Sequence, residues 1–258
     1  MAIEIFNRFE HKYKLDTETF HKVLEVMDQH MELDSHCQNH SLYTIANIYY
    51  DTEDNSLIRE SLSKPKYKEK LRLRAYGVPD KDSKVFLEIK KKYCGLVNKR
   101  RTTLKLQEAY DFIETGKMPE IKKYMNGQVV HELDYFLHSY DLVPKVYIAY
   151  DRLAYFEKGN DDLRISFDTN IRTRRNDLSL EAGDYGTRLL SDDVWLMEIK
   201  TSFAKPLWLC EMLSELEIKD TSFSKYGTEY TRMITKQKQA EESAAKKKLQ
   251  ISAKKQAV

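Results

Sequence analysis

Cysteine is scarce in this chain. Three occur in 258 residues, Cys37, Cys94 and Cys210, and no two stand in CxxC spacing. This excludes a disulfide framework and a cysteine-based zinc site, and it fits a reducing compartment such as the cytoplasm. Histidine adds no metal site, because His11, His21, His30, His36, His40, His131 and His138 fall into no ligand spacing. The glycine-rich phosphate loops are missing too. Neither GxxxxGK[ST] nor GxGxxG occurs, so a nucleotide is not held in the P-loop or Rossmann manner. No GxSxG marks a nucleophilic serine. No apolar run approaches the ~18 residues of a membrane-spanning helix. Met1-Ala2-Ile3-Glu4 turns charged at once, without the apolar stretch of a signal peptide.

What the chain has in quantity is charge, at 33% of residues against about a quarter in ordinary domains. The formal net charge of +2 hides an uneven distribution. Residues 236–258 hold seven lysines against two glutamates, so the rest of the chain is net acidic. A general nucleic-acid coat does not fit that balance. The expected organisation is one enlarged α+β domain over residues 1–235 and a Lys-rich tail over 236–258, helical or disordered. The tail is suited to weak contact with an anionic surface.

Alternation at period two marks the strands. They are expected over residues 3–15, 42–51, 68–76, 84–93, 97–106, 143–156, 163–172 and 194–201. Helices are expected over about 17–27, 55–63, 107–115, 128–140, 206–216 and 228–236. Residues 173–191 and 222–227 read as loops. Eight strands in hairpin-like succession favour an antiparallel β-barrel with helices packed outside over a βαβ sheet.

Three strands carry a glutamate and a lysine two residues apart: Glu10/Lys12, Glu88/Lys90 and Glu198/Lys200. Residues i and i+2 share a strand face. Arg72 and Arg74 repeat that spacing, with Leu71 and Leu73 on the opposite face, and Arg152 and Arg164 occupy further strands. One such pair alone is ordinarily a surface ion pair. Recurrence on at least five strands points to facing walls of one charged lumen. Arg72 and Arg74 are spaced roughly 7 Å apart by strand rise, enough to touch neighbouring phosphoryl groups. Lys12, Lys90, Lys99, Arg101, Arg152, Arg164 and Lys200 extend the ring. Glu10, Glu88 and Glu198 offset its charge and offer oxygen ligands to Mg²⁺ or Mn²⁺.

Arg8-Phe9-Glu10-His11-Lys12-Tyr13, Ile48-Tyr49-Tyr50-Asp51-Thr52, Lys70-Leu71-Arg72-Leu73-Arg74-Ala75-Tyr76-Gly77, Phe86-Leu87-Glu88-Ile89-Lys90 and Ser224-Lys225-Tyr226 resemble the VTC domain. This is the polyphosphate polymerase domain of the vacuolar transporter chaperone, in the triphosphate tunnel superfamily with the CYTH-type triphosphatases. The resemblance spans about residues 4–235. It implies an eight-stranded tunnel in which the γ-phosphate of ATP passes to a growing polyphosphate chain with Mn²⁺ or Mg²⁺. It further implies phosphate binding by Lys12, Arg72, Arg74, Lys90, Arg152, Arg164 and Lys225, and metal binding by Glu198 with Glu10 and Glu88 as helpers. Arg72, Arg74, Lys90 and Glu198 are the implied catalytic set, and ATP and inorganic polyphosphate the implied partners. A tunnel hydrolase acting on tripolyphosphate or nucleoside triphosphates is the alternative, since the same lining serves water as acceptor.

Overall fold

The computed structural model describes residues 9–94, 96–202 and 204–256. The expected opening of the first strand, residues 3–8, lies outside the described residues. Ten strands and six α-helices follow in chain order: β1 (Phe9–Leu15), α1 (Thr17–His30), β2 (Met31–Leu33), β3 (Tyr43–Thr52), α2 (Ser56–Leu62), β4 (Tyr67–Tyr76), β5 (Lys84–Tyr93), β6 (Leu96–Lys105), α3 (Leu106–Thr115), α4 (Gly127–Ser139), β7 (Leu142–Glu157), β8 (Asn160–Arg174), β9 (Thr187–Arg188), β10 (Trp195–Thr201), α5 (Leu207–Glu215) and α6 (Lys225–Gln256).

All ten strands form one antiparallel sheet, with a continuous path β1-β10-β8-β7-β3-β4-β5-β6. β2 adds to β7, and β9 to β8. The eight expected strands are the path itself. The expected closure is not seen: among the described residues β1 pairs with no strand but β10, its Tyr13 bridging Asp220 besides, and β6 with no strand but β5. The sheet curls enough for Lys90 on β5 to reach Glu10 on β1 at 3.0 Å. Side-chain ion pairing, in place of backbone hydrogen bonds, spans the gap. β2 and β9 escape the periodicity reading because three and two residues are too few to show a period.

The two faces of the sheet follow from alternation. Leu71, Leu73, Leu87 and Ile89 are wholly buried on the outer face, under α3 and α4 with Phe112, Val129 and Leu133. α1 and α5 cover the other half, where Phe20, Val23, Met27, Leu209 and Met212 pack on Ile165, Phe167, Met197 and Ile199. A one-residue slip in β4 would put Arg72 and Arg74 into this core and the leucines into solvent. Each exchanged leucine would forfeit about 2 kcal/mol, so the register is strongly set. α1 starts where the Asp16 carboxylate accepts the Thr19 N–H at 2.7 Å, and α4 where Asn126 accepts that of Val129 at 3.1 Å.

The inner face is divided. Its apolar part, with Ile45, Ile148, Ile171 and Leu196, is covered by Tyr226 and Tyr230 of α6 and by Phe223. The rest is charged and open. α6 begins earlier than expected, at Lys225, because Ser224 caps it by accepting the Gly227 N–H at 3.2 Å. It then runs unbroken through position 236, where the composition turns lysine-rich. No helix among the described residues is long and apolar enough to cross a membrane.

Candidate functional site

The charged part of the inner face encloses a cavity of about 590 Å³. Every sequence-predicted site residue lines it except Glu88, which sits behind the wall with no exposed surface. Fourteen lysines and arginines face three acidic residues, Glu10, Glu198 and Asp220, in this lining. The excess remains large even after counting the buried carboxylates Glu88, Asp168 and Asp34. Such a cavity repels itself when empty and suits a polyanion.

The arginines are fixed before any ligand arrives. Arg72 donates to Glu88 at 2.6 Å and to the Tyr49 hydroxyl at 3.2 Å. Arg74 donates to Asn47 at 3.0 Å and to the Tyr150 hydroxyl at 3.2 Å. Lys99 reaches the other Glu88 oxygen at 3.2 Å. Burial opposes ionisation of Glu88, but Arg72, Arg74 and Lys99 hold its carboxyl well below the usual range. Glu88 therefore braces three cations. Arg101 lies over the Phe86 ring at 4.8 Å, and Arg164 pairs with Asp34 at 3.0 Å.

Asp168 is a second brace. Arg152 grips it in bidentate fashion at 2.6 and 2.8 Å, and Lys225 reaches it at 2.5 Å. Burial works against this carboxyl, yet Arg152 and Lys225 lower it to about 2. Both cations also lie over the Tyr150 ring, at 5.2 and 4.2 Å.

Glu10 and Glu198, on the neighbouring strands β1 and β10, share Lys12, which lies 3.0 Å from the first and 3.7 Å from the second. Lys90 completes Glu10 at 3.0 Å, and Lys200 completes Glu198 at 2.8 Å. Burial and the Glu198 charge oppose ionisation of Glu10, and Lys90 and Lys12 outweigh them. Burial likewise opposes Glu198, which Lys200 and Lys12 hold well below the carboxylate range. The structure thus brings two of the three predicted metal ligands together and leaves Glu88 apart. Among the described residues no three acidic, His or Cys side chains form a metal cluster. Two adjacent ionised carboxylates do fit a hard cation that takes its other oxygens from phosphate.

Two lysines are held in the opposite sense. Burial pushes Lys70 down to about 7, with Lys90, Lys68 and Lys12 adding to it. Lys70 donates to the Ser224 hydroxyl at 3.2 Å. Burial also takes Lys99 to about 7, against the pull of Glu88.

Sequence reasoning missed Lys68, Lys70, Lys92, Tyr49, Tyr150 and Asp168. The lysines had a signal: Lys68 and Lys70 continue the Arg72/Arg74 parity, and Lys92 continues Glu88/Lys90. Asp168 had one too, four residues from Arg164 on the same face. The tyrosines had none, since tyrosine is common on any pleated surface.

The VTC domain matches residues 7–234. The chain belongs to the VTC-domain family. A Schizosaccharomyces pombe relative, vacuolar transporter chaperone complex subunit 4, is 27% identical over 165 residues, covering 56% of this chain and 22% of that protein. The chain thus matches about a fifth of the relative's length. Among solved structures, a candidate adenylate cyclase from Bacillus halodurans shares the fold at TM-score 0.53 and 16% identity, over 86% of this chain and 96% of that one. A candidate adenylyl cyclase from Hippeastrum, described with a dominant triphosphatase activity, aligns at TM-score 0.48 and 16% identity over 87% and 93%. The VTC-domain chain thus shares the α+β fold of the Bacillus halodurans protein, its sheet path not closing among the described residues.

Proposed function

We propose that this VTC-domain chain is a polyphosphate polymerase, passing the γ-phosphoryl group of ATP to the end of an inorganic polyphosphate chain in the charged cavity. The observation that carries the reading is the lining itself: fourteen cations against three acids, in a family defined by the VTC domain. Phosphoryl transfer needs positioning and electrostatic stabilisation more than covalent chemistry. Arg72 and Arg74 present pre-set forks to adjacent phosphoryl groups. Lys12, Lys70, Lys90, Lys99, Arg152, Lys200 and Lys225 distribute charge around them.

The acceptor in this reaction is a terminal phosphate, already ionised, so no base has to remove a proton. The site agrees with that requirement. Glu10 and Glu198 are held below the ordinary carboxylate range and are poor bases for activating water, which favours transfer to phosphate over hydrolysis. Glu10 and Glu198 are also the pair that would hold Mn²⁺ or Mg²⁺. When bound, that ion would neutralise phosphate charge.

Arg72→Ala and Arg74→Ala test the assignment. Each is expected to cut ATP consumption at least about a hundredfold, as loss of preorganised electrostatic groups does, while circular dichroism stays unchanged. Full turnover by either variant contradicts it. Glu198→Gln is expected to shift the Mn²⁺ titration to higher metal; an unchanged titration removes Glu198 from the metal site.

A further inference from the structure

A second cavity of about 560 Å³ lies away from the first, between α6 and the end of β8 with the loop to β9, and the two share no lining residue. Four cations line it, Arg174, Arg175, Arg232 and Lys236, against one acid, Glu229. Glu229 is consumed by Arg175, which grips it in bidentate fashion at 2.8 and 2.7 Å. Arg174 is buried, and its guanidinium donates to carbonyl oxygens, those of Asp177, Ser179, Gly183 and Tyr185 at 2.8–3.0 Å. Arg232 likewise donates to the carbonyls of Arg188 and Leu189. Among the described residues, Arg174, Arg232 and Lys236 pair with no carboxylate. The groove therefore carries a net positive charge that nothing in its wall cancels.

Positive charge continues outward, with Lys236, Lys238, Lys246 and Lys247 against Glu241 and Glu242 over residues 236–247. Lys236 is one turn beyond Arg232, and Lys246 and Lys247 follow Arg232 by 14 and 15 residues, close to four full turns, so they return to the same side of α6. Lys236, Lys246 and Lys247 are exposed. From Arg232 to Lys247 the helix rises about 22 Å. The groove and the stripe make a track for a long linear anion, where a compact anion would engage only one end.

We propose that this track is a second binding site, outside the catalytic cavity, for long-chain inorganic polyphosphate; the occupant rests on the polymerase reading above. The stripe from Lys236 to Lys247 is Lys, Gln, Glu, Ser and Ala, without an aromatic residue, and the aromatic residue that lines the groove, Tyr185, is taken up by Arg174, 4.4 Å from its ring. Single-stranded nucleic acids are held by stacking platforms interleaved with charge, whereas polyphosphate offers phosphates alone and needs only cations. A second contact on the same chain raises avidity and slows release, which retains the product.

Fluorescence anisotropy of labelled long-chain polyphosphate on the full chain decides the matter. Arg232→Glu/Lys236→Glu and, separately, Lys246→Glu/Lys247→Glu are expected to weaken long-chain binding about tenfold, leaving tripolyphosphate affinity and the initial rate of ATP consumption unchanged. The reversals are also expected to remove the binding that persists in Arg72→Ala/Arg74→Ala. Long-chain affinity within twofold of wild type in both reversal variants overturns the proposal. So does single-stranded RNA displacing polyphosphate of equal charge, which would make the track a nucleic-acid site. If wild type releases only orthophosphate from ATP while the reversals still weaken polyphosphate binding, the polymerase reading fails and the track stands.

Discussion

Glu88 has no solvent-exposed surface and meets Arg72 and Lys99 directly, with Arg74 at 3.9 Å. Removing one partner of such a cluster leaves the others buried and uncompensated. Glu88→Gln is expected to lower unfolding free energy by about 3 kcal/mol in urea denaturation; a loss below ~1 kcal/mol would show that the arginines are held by Asn47 and the tyrosines alone. The titrations act in two windows. Asp168 has a folded pKa of about 2, below the ordinary value near ~4. Its contribution is complete above about pH 4 and is lost as pH falls toward 2. Lys70 and Lys99 have folded values of about 7 against ~10.4 unfolded, so their protonation opposes folding below that upper value. Stability from these lysines rises with pH from about 7 to 10. A bound polyanion restores their charge. Tripolyphosphate binding at pH 8 is expected to take up between about one and two protons, read by calorimetry in buffers of different ionisation enthalpy. Zero uptake would contradict the burial of these lysines. That Arg72, Arg74 and Lys90 face one cavity was legible from parity alone. The bracing role of Glu88 was not, because the spacing that suggests a metal ligand also suggests a carboxylate held by the cations across the sheet.

At the scale of elements, β8 and β9 meet where no side chain fits. A Cβ on Gly186 would stand 2.9 Å from the Thr173 backbone nitrogen and oxygen. Gly186→Ala is expected to cost about 1–3 kcal/mol, seen as a lower thermal midpoint; an unchanged midpoint would mean that the loop shifts freely. The stretch 173–191, legible only as an irregular loop, is in fact pinned by Arg174 to four carbonyls, and a sequence does not reveal which carbonyls an arginine will collect. Where the structure describes them, the long strands were legible within three residues, β8 starting earliest against expectation at Asn160, because inner and outer faces differ so sharply in polarity. The start of α6 was not. Ser224-Lys225-Tyr226 looks like loop composition, yet Tyr226 donates to buried Asp51 at 3.0 Å and its ring joins the apolar patch of the inner face. Tyr226→Phe is expected to leave Asp51 short of a donor and to destabilise by about 1–2 kcal/mol in chemical denaturation; neutrality would place the anchoring of α6 in its apolar contacts.

The whole molecule separates its charges by face. Apolar residues and helices cover the outer face, the cations converge inside, and the lysine-rich length of α6 lies beyond the sheet. That convergence was legible from recurrence of one spacing on many strands, whereas the gap between β1 and β6 among the described residues was not, since no single strand encodes closure. The central claim is that phosphate, not water, accepts the phosphoryl group in this cavity. Phosphorus NMR of the protein with ATP and Mg²⁺, Mn²⁺ being too paramagnetic for sharp lines, follows the phosphate directly. Growing signal from internal phosphoanhydride groups is expected, matched by ADP and absent in Arg72→Ala. Orthophosphate rising one-for-one with ADP, with no internal phosphoanhydride signal, would contradict it and assign the cavity to hydrolysis.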